Sequence, residues 1–201
     1  MKLKDISAIL RARSMIRIFN GENCQWFSDG SACYPIYGLP EMDDKSLRVL
    51  LDVSEDKWQK YNVLITDLPF SEQDNYSGEF ELHNIGMVLN YNGIEVIPLV
   101  GNYKMFFVQS KYLKPIFRDN NDCHYYARQM QSGEYMIAVK LGFILGAVIM
   151  PFDIVNDEFV ECLKMMHERS IYLLNEKKQR EADDLNMQNF LIDDLNSFKE
   201  E

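Results

Sequence analysis

The side chains able to do chemistry are few and scattered. His83, His124 and His167 stand in no HExxH spacing. Cys24, Cys33, Cys123 and Cys162 form no CxxC pair, so reduced thiols are expected. Cys123 and His124 are neighbours, but strand alternation turns them to opposite faces, which disfavours a nucleophile–base pair. Cys24 and Cys33 fall on neighbouring predicted strands and read as structural thiols. Asp29-Gly30 reads as a turn, and Asp43-Asp44 and Asp183-Asp184 read as helix caps. There is no P-loop, no GxGxxG and no GxSxG. The residues therefore predict a non-enzymatic protein with no catalytic residue, no metal site and no cofactor.

The charged residues carry more information. The net charge is −10, yet residues 181–201 hold seven acids and one base. The first seventeen residues run the other way, with Lys2, Lys4, Arg11, Arg13 and Arg17 against Asp5. An acidic protein can still present a local basic field. The candidate bases are Lys4, Arg11 and Arg13 on or beside a first helix, Lys45 and Arg48 on a second, and Lys111, Lys114 and Arg118 on a third. Spacings of three and four put the last group on one helix face if that helix persists past Pro115.

The elements that must position these bases follow from periodicity. Leu3, Ile6, Ile9 and Leu10 predict a helix over 3–13. Asn20-Gly21 and Asp29-Gly30 separate three short strands between Met15 and Tyr37. A helix is predicted over 43–56, a strand over 61–66 and a long loop or insertion over 67–83. Asn92-Gly93 joins two further strands, and a strand over 103–108 precedes a short helix over 110–117. Three strands follow, ending near Met150. From Asp157 the pattern is helical, with a break near Ala182-Asp183-Asp184. A last amphipathic stretch contains Phe190, Leu191 and Leu195. The longest apolar run, Phe143 to Phe152, is far below the ~20 residues of a spanning helix. No apolar region follows the charged start, so a signal peptide is not expected and a cytoplasmic protein without membrane contact is.

Both halves repeat the order helix, strand, strand, strand, over 3–37 and 110–151. The predicted fold class is α+β: two helix-plus-three-strand units forming antiparallel sheets over 1–154, then a helical extension over 155–201 with an acidic end. Each three-stranded unit has one apolar face to cover, and two units can join edge to edge with both helices on one side.

The run Phe107-Val108-Gln109-Ser110-Lys111-Tyr112-Leu113-Lys114-Pro115 resembles the helix opening of the final unit of bacterial DNA sliding clamps. The closing run Gly146-Ala147-Val148-Ile149-Met150-Pro151-Phe152-Asp153-Ile154 resembles that unit's last strand. Trp26-Phe27-Ser28-Asp29-Gly30-Ser31-Ala32 resembles a clamp strand and turn. The resemblance covers about half of the chain. The chain departs from clamps in having room for one domain copy, where clamp subunits carry two or three, and in the long segment after Pro151. The resemblance implies a homo-oligomer whose Lys and Arg side chains face double-stranded DNA weakly and without sequence preference. By this reading the nucleic-acid-binding residues are Lys4, Arg11, Arg13, Lys45, Arg48, Lys111, Lys114 and Arg118. The implied role is a DNA- or replication-associated accessory protein of a phage or mobile element. The alternative is a protein-interaction module that meets its partner through Phe190, Leu191 and Leu195 and never touches nucleic acid.

Overall fold

The computed structural model describes residues 2–73, 76–116, 123–130, 132–154, 159, 161–163, 165 and 168–180. The chain divides into two compact units, 1–153 and 154–201.

The first unit begins with helix α1 (Leu3–Arg11). Its Ile6 and Leu10 recur four apart and are fully buried, whereas Lys4 and Arg11 stay exposed. Strands β1 (Met15–Asn20), β2 (Gln25–Ser28) and β3 (Ala32–Ile36) follow as an antiparallel meander. Helix α2 (Asp44–Leu50) starts on a capping box in which the Asp43 carboxylate and the Ser46 hydroxyl each accept the other's backbone N–H. Hydrogen bonds from Ser46 hold the Asp43 carboxyl below its usual range. The predicted helix over 43–56 is in fact two. Asp52 takes a left-handed conformation (φ 51°) that closes α2, and helix α3 (Glu55–Trp58) starts afresh.

Strand β4 (Asn62–Asp67) then pairs parallel to β1, with Ile16 opposite Val63. The segment read as a loop over 67–83 runs into strand β5 (Phe80–Asn84), which pairs with β9. Strands β6 (Leu89–Tyr91) and β7 (Ile94–Gly101) flank the Asn92-Gly93 turn, where both residues have positive φ. Strand β8 (Lys104–Gln109) lies along the other edge of β7. The predicted helix over 110–117 is a 3-10 turn, Ser110–Tyr112, continued as turns to Ile116. Pro115 lacks an amide proton and pushes its predecessor out of helical geometry, so no α-helix forms there. Strands β9 (Cys123–Gln129), β10 (Tyr135–Leu141) and β11 (Ile144–Ile149) complete a second antiparallel meander.

The two meanders join where Cys33 pairs with Val148 and Ala32 with Ile149. The eleven strands thereby form one sheet with two different faces. On one face Ile16, Phe27, Tyr34, Val139 and Ala147 pack with Ile6 and Leu10 of α1, Leu47 of α2, and Tyr112, Leu113 and Ile116 of the 3-10 turn. The amide of Lys2 donates to the carbonyl of Pro115 (2.8 Å), which ties α1 to that turn.

The other face buries Phe19, Trp26, Met136, Ala138 and Val148, with Leu68 and Phe70 packed against them. Those two residues belong to a segment, 67–73, that crosses the face as a strap. Its Glu72 carboxylate accepts the indole N–H of Trp26 (2.6 Å) and the amide of Glu22 (2.6 Å). The approach is so close that a Cβ on Gly21 would lie 2.6 Å from Glu72 Oε1. Farther along, Arg128 on β9 donates to Glu79 (2.7 Å) and to the carbonyls of Ser71 (3.1 Å) and Gln73 (3.0 Å), and Lys140 on β10 also donates to Glu79. Arg128 is fully buried.

In the second unit the described residues between 159 and 180 are helical. No helix among the described residues is long and apolar enough to cross a membrane.

Candidate nucleic-acid interface

Among the described residues no group of three or more His, Cys, Asp or Glu side chains is placed to hold a metal ion. Cys33 sits opposite Ser28, at the far end of the β2–β3 ladder from Cys24. Both thiols are free, and burial raises the pKa of each.

The polar residues concentrate where α1 ends. Asp29, in the turn between β2 and β3, is buried. Its Oδ1 accepts the amides of Ser31 (2.9 Å) and Ala32 (3.0 Å), and its Oδ2 accepts the hydroxyl of Tyr112 (2.8 Å). The Arg13 guanidinium stands 3.7 Å from the same Oδ2. Hydrogen bonding to Tyr112, with Asp29 close by, raises the Arg13 pKa further, so the guanidinium stays charged. Tyr34 donates to the carbonyl of Tyr112 (2.7 Å), and burial pushes its phenol well above the ordinary range. The network fixes Arg13 and the 3-10 turn relative to the sheet, and the two turn amides and the Tyr112 hydroxyl occupy the Asp29 oxygens.

Around that anchor lie two open clefts. The first is lined by Arg13, Lys111 and Lys114, with Asn90, Glu95, Gln109 and Phe152 beside them. The second is lined by Arg11, Arg48 and Lys57, with Asp52 and Tyr61. Arg11 and Arg13 are two residues apart at the end of α1, so that end places one arginine in each cleft. In the second cleft Arg11 donates to the carbonyl of Leu51 and Arg48 to that of Val53, both at 3.5 Å. The Leu51 carbonyl caps the C-terminal end of α2, where a cation also favours the helix dipole, and that of Val53 lies just beyond the Asp52 break.

The structure thus brings together five of the eight sequence-predicted bases: Arg11, Arg13, Arg48, Lys111 and Lys114. Lys111 and Lys114 share a cleft although no α-helix carries them, because the turn projects both beside β8. Lys4 and Lys45 are exposed on α1 and α2 and line neither cleft. Arg118 and the partner-binding candidates Phe190, Leu191 and Leu195 lie outside the described residues. Lys57 and Phe152 escaped the sequence reading. The predicted helix ended at 56, just short of Lys57. Phe152 reads as the tail of an apolar strand until its place at the cleft is seen.

Comparison with known proteins returns no matching family model, no matching curated protein and no matching solved structure.

Proposed function

We propose that this chain is a non-catalytic nucleic-acid-binding module, an accessory protein that meets DNA through the helical side of its α+β unit. The observation that carries the reading is the convergence of six bases on two adjoining clefts at the end of α1, in a chain of net charge −10. Folding gathers cations there against the overall sign, which is the electrostatic footprint of a phosphate-binding surface. The sliding-clamp resemblance of the 3-10 turn and the last strand supports the same role: helical elements on one side of a sheet, with bases aimed at a phosphate backbone and no base reading. A phage or mobile-element replication context follows from that resemblance alone.

The test is charge reversal. Duplex DNA binding is measured by fluorescence anisotropy at low salt for the unaltered protein, for Lys111→Glu with Lys114→Glu, and for Lys4→Glu with Lys45→Glu. The cleft pair is expected to weaken binding by about tenfold or more, and the pair outside the clefts by much less. Equal losses would sink the assignment of the clefts.

The second reading, a protein-interaction module, is favoured by the helical run Ile171-Tyr172-Leu173-Leu174, whose four adjacent apolar side chains are all exposed. Exposed apolar side chains in such a run are the kind of surface that a protein partner covers. A protein that binds no DNA at low salt leaves this reading standing.

A further inference from the structure

We infer that the cleft between the 3-10 turn and the β6–β7 hairpin takes an unpaired nucleotide of a single strand, with its base against Phe152 and its phosphates on Arg13, Lys111 and Lys114. The inference rests on the nucleic-acid reading above and narrows it. A surface made only for duplex phosphates needs cations and no more. This cleft has an aromatic ring at its wall and a volume of about 580 Å³, inside the range of small-molecule clefts. Phe152 is held in place before any ligand arrives. Its amide donates to the carbonyl of Phe107 on β8 (2.7 Å), and its ring meets Tyr91 edge to face at 6.3 Å between centroids.

Two of the three cations are held as well. Arg13 is anchored by Asp29, and the Lys111 ammonium lies over the ring of Tyr112, 4.6 Å from its centroid. Among the described residues Glu95 is the one carboxylate lining the cleft, and it accepts the hydroxyl of Ser110 (2.8 Å). Three cations against Glu95 and the Asp29 carboxylate behind Arg13 leave the cleft positive by one charge among the described residues. Cations beside an accessible aromatic ring are the recurring arrangement for single strands, since every base has a face to stack. A paired base has its faces covered by its neighbours, so only an unpaired one reaches Phe152.

Anisotropy with an oligothymidylate of about twelve nucleotides and a duplex of the same length decides it. At equal salt the unaltered protein is expected to bind the single strand more tightly. Phe152→Leu is expected to lower the single-strand-to-duplex affinity ratio about tenfold, the size of one lost stacking contact, and Phe152→Tyr to retain it. Duplex binding equal to or tighter than single-strand binding overturns the inference and leaves the proposed function standing. So does an unchanged ratio in Phe152→Leu. Absence of binding to either oligonucleotide overturns both. The comparison in the unaltered protein needs no variant to fold.

Discussion

Tyr103 shows how one residue can carry strain in full view of solvent. It follows Asn102 in the turn between β7 and β8, and both have positive φ, 46° for Asn102 and 58° for Tyr103. Its side chain is wholly exposed. A left-handed conformation costs a non-glycine residue about 1–2 kcal/mol, and no burial of the ring offsets it here. Tyr103→Gly is therefore expected to raise stability by about 1 kcal/mol, read as a higher urea midpoint with an unchanged slope. A lower midpoint would show that the tyrosine ring contributes packing that its exposure conceals. The same scale explains Asp29. It stands beside Gly30 in a turn legible from sequence. What sequence does not convey is that Tyr112, 83 positions away, returns to cap its second oxygen. Local chemistry is written in adjacent residues, and the long-range hydrogen bond is written only in the fold.

The strap over the second face is the element whose role changed most. Residues 67–83 are polar, with Pro69, Asn75 and Gly78, so they read as a loop. The fold anchors that strap through Glu72 on Trp26 and through Arg128, which donates to the carbonyls of Ser71 and Gln73 while Glu79 accepts from it and from Lys140. Removing one member of a buried charged group leaves the others uncompensated. Arg128→Met is expected to cost about 3–5 kcal/mol and to loosen the strap, seen as faster amide exchange in residues 67–73 than in β10. A loss below about 1 kcal/mol would mean that water already screens the group. Ten of the eleven strands are legible, because alternation and Asn-Gly or Asp-Gly turns are local signals, whereas β5 lies in the stretch that reads as a loop, with only Phe80 and Leu82 to mark it. Three further features are not legible. The left-handed break at Asp52 needs backbone geometry, the parallel pairing of β4 with β1 is a tertiary choice, and the 3-10 turn is set by Pro115 against the burial of Tyr112, Leu113 and Ile116.

At the scale of the whole molecule, the charge of −10 is the quantity whose meaning folding alters. A uniform acidic surface would repel nucleic acid. Here the acids of 181–201 are remote in sequence from α1, and the first unit gathers Arg11, Arg13, Arg48, Lys57, Lys111 and Lys114 around one helix end. Sequence supplies most of the bases but not their grouping, since they come from four separate segments, and Arg13 meets Lys111 and Lys114 only in the folded unit. Their number sets the salt dependence of DNA binding, because each phosphate neutralised releases counterions. The most direct measurement is the slope of log affinity against log salt for a short duplex, with and without Lys111→Glu plus Lys114→Glu. The clustered clefts predict a slope of about −3 to −5 that becomes shallower by about 2 in the variant. No binding at the lowest salt, or a slope that the variant leaves unchanged, would contradict the account.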